Sequence, residues 1–227
     1  MELNKIYCMD CLEGMKMIPD NSVDLIVTDP PYGINLIPQR RITKSIKNDN
    51  MDNFSFEVFL NDIFYKINRI LKNDSFLIVF IGWPTIPTFR KILDKYFILK
   101  SMPIWVKNNW GIGYYTRPQY EPCFLYFKGN PKPLNNPVSD VWKFNRVYKP
   151  IHSCEKPINL MKFIIKNFTI ENNIILDPFM GSGTTAVACK QLDRDFIGFE
   201  ISQEYVDIAN KRLANVQKGF FNKEGFF

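Results

Sequence analysis

The stretch Thr28-Asp29-Pro30-Pro31-Tyr32-Gly33 constrains this chain more than any other. The five residues before it, Val23-Asp24-Leu25-Ile26-Val27, are mostly apolar and β-branched, the pattern of a buried strand. Asp29 therefore falls at the carboxyl end of a strand, where open α/β sheets bind their ligands. Pro30 and Pro31 fix φ and remove two backbone donors, so the turn is stiff and its carbonyls are free to accept hydrogen bonds. Tyr32 adds a flat aromatic face. These three features suit a planar ring with an exocyclic amine: the carboxylate and a proline carbonyl each accept one N–H while the ring stacks on Tyr32. The plainer reading is a proline turn that happens to follow an Asp, and a second motif has to decide between the two.

That second motif is Ile174-Ile175-Leu176-Asp177-Pro178-Phe179-Met180-Gly181-Ser182-Gly183-Thr184-Thr185-Ala186, which reads as strand, glycine turn and helix. Gly181-x-Gly183-x-x-Ala186 satisfies the dinucleotide-binding pattern, and Glu200 ends the next strand at about the right distance to hold a ribose diol. A dehydrogenase is thus a rival. Against it, Asp177-Pro178-Phe179-Met180 lengthens the turn beyond a tight pyrophosphate loop and puts a carboxylate where a ligand ammonium could sit. The glycine turn also comes late in the chain, whereas a dinucleotide fold is usually built around an early one.

With Asp-Pro-Pro-Tyr first, a variable excursion next and Asp-Pro-Phe-x-Gly-x-Gly-Thr-Thr last, the chain resembles the β-class S-adenosylmethionine-dependent DNA amino-methyltransferases. The resemblance covers nearly the whole sequence, including Asp10-Cys11 after the first strand, Trp105-Val106-Lys107-Asn108 after a later one, and Lys156-Pro157 before a helix. It implies an α/β, Rossmann-like methyltransferase fold with a seven-stranded, mostly parallel sheet and circularly permuted motif order. The family's usual His-Pro-Thr-x-Lys-Pro is here His152-Ser153-Cys154-Glu155-Lys156-Pro157, without the first Pro and the Thr.

The chain of 227 residues fits a single domain, 1–227. Helices are predicted over 11–17, 54–71, 84–96, 158–168, 184–192 and 203–217, and strands over 5–10, 23–28, 75–81, 97–107, 121–127, 173–177 and 195–200. Residues 33–53 form a basic loop, with Arg40, Arg41, Lys44 and Lys47 before any acid. Residues 108–151 form a short target-recognition excursion that carries Trp110, Tyr114, Tyr115, Trp142 and Tyr148. Its six bases against Glu121 and Asp140 give six minus two, a charge of +4. Aromatics among bases suit backbone contact and stacking on nucleic acid, although some of these rings are expected to pack onto the body. The whole chain carries +6, which permits a polyanionic partner. Five scattered cysteines read as reduced thiols, and no apolar run is long enough to span a bilayer. A cytoplasmic location is expected, with no secretory signal and no membrane partner. His152, the only histidine, is read as a structural group, and no metal is assigned.

The resemblance implies methyl transfer from S-adenosylmethionine to the 6-amino group of adenine in double-stranded DNA. Asp29, Pro30, Pro31 and Tyr32 would be catalytic. Asp10, Cys11, Lys156, Asp177, Pro178, Phe179, Gly181, Ser182, Gly183, Thr184, Thr185 and Glu200 would bind the cofactor: Glu200 at its ribose, Asp10 and Cys11 beside its adenine, and Gly181 and Gly183 where the backbone approaches it. Methylation of the 4-amino group of cytosine is the alternative. Less favoured are an RNA or protein amine substrate and a non-catalytic nucleic-acid binder. A homodimer and a cognate restriction endonuclease are compatible with the reading.

Overall fold

The computed structural model of the protein describes residues 1–31, 52–134, 137–148 and 155–216. Tyr32, the basic segment 33–51, His152 and the Phe-rich tail lie outside the described residues. Among the described residues there are nine strands: β1 (Lys5–Cys8), β2 (Val23–Thr28), β3 (Leu71–Phe80), β4 (Ile98–Ser101), β5 (Ile104–Val106), β6 (Tyr120–Lys128), β7 (Val141–Lys143), β8 (Ile174–Asp177) and β9 (Asp195–Glu200). The helices are α1 (Cys11–Lys16), α2 (Asn53–Ile70), α3 (Ile86–Leu93), α4 (Ile158–Phe168), α5 (Thr184–Gln191) and α6 (Gln203–Ala214).

The strands run in the order β1-β9-β8-β2-β3-β6-β5-β7, with β4 paired to β6. From β1 to β3 all pairings are parallel; β6 is antiparallel to β3, and β7 is parallel to β5. The chain steps from β2 to β3 on one flank, and only much later adds β8 and β9 on the other. β2 and β8 therefore flank the point where the connections change direction, the place at which sheets of this kind open a crevice for a ligand.

Both faces of β2 are covered, which explains why its apolar run does not alternate. Leu25 and Val27 pack toward α4, α5 and α6; Val23 and Ile26 pack toward α1, α2 and α3. Asp24, the one acid in the strand, ties down its entry end. It lies 2.7 Å from Lys72 Nζ and accepts the Ile174 N–H at 2.9 Å, so it joins β2 to both neighbours.

Helix α2 begins where Asp52 accepts the N–H groups of Phe54 and Ser55, both at 3.0 Å. Loss of such a cap costs about 1 kcal/mol. Its buried stripe, Phe56, Phe59, Leu60, Ile63, Phe64, Ile67 and Ile70, holds it to the sheet, each such side chain contributing about 1.5 to 3 kcal/mol when fully covered.

The fold class is as expected, but the described residues form nine strands rather than seven. The segment 97–107 is not one strand, because Met102-Pro103 breaks it into β4 and β5. β7 is a strand that the sequence reading left inside the excursion. Its Trp142 is buried beside Phe163, and its indole N–H donates to the Ser139 carbonyl at 2.8 Å, so it belongs to the core and not to a stacking surface.

Candidate active site

Four strand ends line up along one edge of the sheet. β2 ends at Thr28 and delivers Asp29; β8 ends in Asp177; β9 ends in Glu200; β1 is followed by Asp10 and Cys11. β8 lies between β2 and β9, and Cys8 of β1 is in register with Glu200. The two long motifs, which are far apart in sequence, thus meet at the switch point.

Asp29 is half-buried, and Pro30 and Pro31 are buried behind it. Its Oδ2 accepts a hydrogen bond from Lys156 Nζ. Lys156 comes from the short link before α4. Its neighbour Glu155 is clamped to Arg212 of α6 at 2.8 Å. Arg212 in turn donates to the Ser182 carbonyl at 2.9 Å and to Ser182 Oγ at 2.8 Å. Ser182 is therefore engaged in fixing the glycine turn to α6 and to the link that carries Lys156.

Asp177 is buried, accepting from Thr185 Oγ1 at 2.5 Å and from the Phe179 N–H at 3.1 Å. Burial pushes its carboxyl up to about 7 despite these hydrogen bonds, with the negative charges of Asp29 and Glu200 adding to the rise. Asp177 and Thr185 thus bond to one another inside the turn. Glu200 is half-exposed and holds the turn from the other side: Oε2 accepts the Gly181 N–H and Oε1 the Ser202 N–H, each at 2.9 Å. Each oxygen retains acceptor capacity for a ligand hydroxyl.

The two glycines differ. Both have positive φ, +53° at Gly181 and +84° at Gly183. A Cβ at Gly181 would meet nothing within 4 Å, so this residue faces open space. A Cβ at Gly183 would lie 2.6 Å from the Cβ of Ala209, so this residue lets α5 start against α6. At Gly183 the close neighbour of an added side chain is thus a helix.

Pro178 and Thr184 are buried within the turn; Phe179 is half-buried, its ring packed edge-on to Phe59 at 6.4 Å. Asp10 caps α1 by accepting the Leu12 N–H at 2.7 Å. The Cys11 thiol is buried, and burial, then the charge of Asp10, pushes it up to about 12, so it is no nucleophile at neutral pH.

A model of the N6/N4 DNA methylase family matches residues 23–211. The chain belongs to this family. Type II methyltransferase M.BglII of Bacillus subtilis is 32% identical over 93% of this chain and 69% of its own length. The DNA adenine methyltransferase YhdJ of Escherichia coli (strain K12) is 29% identical over 93% of this chain and 83% of its own. Among solved structures, the M1.HpyAVI–SAM complex superposes with a TM-score of 0.68 at 28% identity, covering 92% of this chain and 98% of the other. The family, the fold and the enzyme class expected from the sequence are met.

As a site of a DNA methylase, the crevice suits S-adenosylmethionine on its own geometry. Gly181 opens free space at the turn, Glu200 offers acceptors beside it, and Asp29, Asp177 and Glu200 stand at the ends of neighbouring strands. Sequence reasoning put Lys156 with the cofactor; the structure puts its ammonium on Asp29. It also missed Glu121 and Lys107, which lie behind Lys156. The available signal was Glu121 itself, one of only two acids in a basic segment and adjacent to an apolar run.

Proposed function

We propose that this DNA methylase transfers a methyl group from S-adenosylmethionine to the 6-amino group of adenine in duplex DNA. The observation that carries the reading is the convergence of Asp29, Asp177 and Glu200 on the ends of neighbouring strands at the switch point. S-adenosylmethionine supplies an electrophilic methyl on a positively charged sulfur. Glu200 would accept the ribose hydroxyls, Gly181 leaves room for the ligand, and Asp177 would give up its proton beside a bound cation. Asp10 and Cys11 border the adenine end.

The target base leaves the helix stack, at a cost of a few kcal/mol. Its amine donates one N–H to the Asp29 carboxylate and the other to the Pro30 carbonyl. Both bonds reduce delocalisation of the nitrogen lone pair into the ring and aim it at the methyl. Pro31 stiffens the turn, and Tyr32 stacks on the base. As the new C–N bond forms, the bond from the methyl to sulfur would break with its electron pair left on sulfur, so that the cofactor leaves as a neutral thioether; the nitrogen then carries one proton too many, and the Asp29 carboxylate accepts it. Positioning supplies most of the rate.

The DNA-facing surface is the hairpin between β5 and β6. It is closed by the Lys107 N–H donating to the Gln119 carbonyl and by Gly111 to Pro118. Its tip exposes Ile112, Tyr114 and Tyr115, and Arg117 stacks over Trp110 at 5.4 Å. An adenine target is favoured by the Asp that heads the motif and by YhdJ, which is described as a DNA adenine methyltransferase. Nucleoside analysis of duplex DNA after incubation with labelled S-adenosylmethionine tests the reading. N6-methyladenine is expected; 4-methylcytosine alone would move the target to cytosine, which the family also covers.

The same reading extends to a cytoplasmic location; no helix among the described residues is long and apolar enough to cross a membrane. It extends also to a cognate restriction endonuclease, supported by type II relatives such as M.BglII, and to a homodimer, which sedimentation of the purified chain would test.

A further inference from the structure

Four side chains of alternating charge run from Asp29 toward the base of the exposed hairpin. Lys156 Nζ bonds Asp29 Oδ2 and lies 3.3 Å from Glu121 Oε2; the other oxygen of Glu121 is 2.5 Å from Lys107 Nζ. Lys156 is 8% exposed, with its ammonium 4.9 Å from the centroid of the Phe80 ring. Glu121 Oε2 is buried, with the Lys156 ammonium as its charge partner. Burial pushes the Glu121 carboxyl up, but the ammonium groups of Lys156 and then Lys107 outweigh it and hold the group below the usual carboxylate range.

A line of charges of this kind is a poor device for stability. Desolvation of its members offsets most of their attraction, and apolar residues of the same size do as well. What it does provide is a fixed geometry. Lys156 is gripped from one side by Glu121. From the other, its chain neighbour Glu155 is held by Arg212, which also holds the glycine turn. The Asp29 carboxylate is thus oriented by an ammonium that is itself immobile.

The far end of the line is equally specific. Glu121 of β6 pairs in register with Trp105 of β5, and Lys107 follows that strand directly. The Gln119 amide donates to the Lys107 carbonyl at 3.0 Å. Lys107 and Glu121 therefore form a diagonal ion pair across the base of the hairpin that presents Trp110, Tyr114 and Tyr115.

We propose that Lys156, clamped by Glu121 and Lys107, is a positioning residue that turns the Asp29 carboxylate toward the target amine, and that this line couples the DNA-facing hairpin to the catalytic motif. The inference rests on the reading of Asp29 as the acceptor for the amine. It assigns Lys156 to the methyl-accepting half of the site and gives Glu121 and Lys107 a role in catalysis without contact with either substrate.

The test is single-turnover methyl transfer on a preformed complex of full-length protein, duplex DNA and saturating S-adenosylmethionine. Lys156→Met and Glu121→Gln should lower the transfer rate about tenfold to a hundredfold, as small misplacements of a reacting group do. Lys107→Met should give a smaller loss of the same kind. Affinity for S-adenosylmethionine without DNA should not change, and Lys156→Arg, which keeps the charge, should recover most of the rate. Should Lys156→Met fail to fold, Glu121→Gln, which keeps the shape, carries the test. Folded variants that transfer at the wild-type rate would overturn the proposal. So would a Lys156→Met enzyme that loses affinity for S-adenosylmethionine yet transfers normally at saturation. Wild-type protein that transfers no methyl at all would instead sink the underlying reading of the site.

Discussion

Asp29 follows the end of β2 and Asp177 ends the adjacent parallel strand β8, and the charge of the first helps to keep a proton on the second. Burial is the larger cause, and together they place the Asp177 carboxyl at about 7 in the folded protein, against about 3.9 in an unfolded chain. The sign follows. The folded state holds this proton more tightly, so its contribution to stability is complete below about 4. That contribution is lost as pH rises toward 7. A cation bound beside Asp177 should expel the proton. Calorimetry of S-adenosylmethionine binding in two buffers of different ionisation heat should detect proton release near pH 6 and none near pH 9. Equal heats in both buffers at pH 6 would place the cation elsewhere.

The two glycines of the turn should fail in different ways. Gly183→Ala forces a Cβ to within 2.6 Å of Ala209 at φ +84°. It should lower thermal stability by more than the roughly 1 to 2 kcal/mol of left-handed strain alone, and Ala209→Gly should restore part of the loss. Gly181→Ala meets no neighbour and should cost only the left-handed strain, roughly 1 to 2 kcal/mol of stability, while affinity for S-adenosylmethionine falls. Melting curves with and without the ligand separate the two.

Tyr114 and Tyr115 form an edge-to-face pair at 5.1 Å and are 95% and 94% exposed. Replacement of both by Ala should leave the melting temperature unchanged. If the rings stack on bases, binding of DNA should weaken by about 1 to 3 kcal/mol per stacked ring, read by anisotropy at fixed salt. Undiminished affinity would move the DNA path off this hairpin.

Much of the sheet was legible in the sequence because strands buried on both faces read as unbroken apolar runs. Val23–Thr28 and Ile174–Asp177 are such strands, each ending in a turn with its own chemistry. The break at Met102-Pro103 was also visible in principle, since a proline removes a donor from the ladder. β7 was not: three residues with only the middle one buried carry no periodic signal. The site was legible where a motif is local. Lys156 on Asp29 and Glu121 behind it were not, because 127 residues separate the first pair and only the tertiary fold brings them together. The packing of Gly183 against Ala209 was hidden for the same reason, Ala209 belonging to another helix.

Whether Asp29 directs the amine lone pair is decided by single-turnover methyl transfer from labelled S-adenosylmethionine to pre-bound duplex DNA, wild type against Asp29→Ala, with the product nucleosides identified by mass spectrometry. The wild type should yield N6-methyladenine. The variant should lose about 3 to 4 kcal/mol, a hundred- to thousandfold in rate, typical of one positioned polar contact, with binding of both substrates retained. Methyl transfer by Asp29→Ala at the wild-type rate would show that Asp29 does not direct the amine.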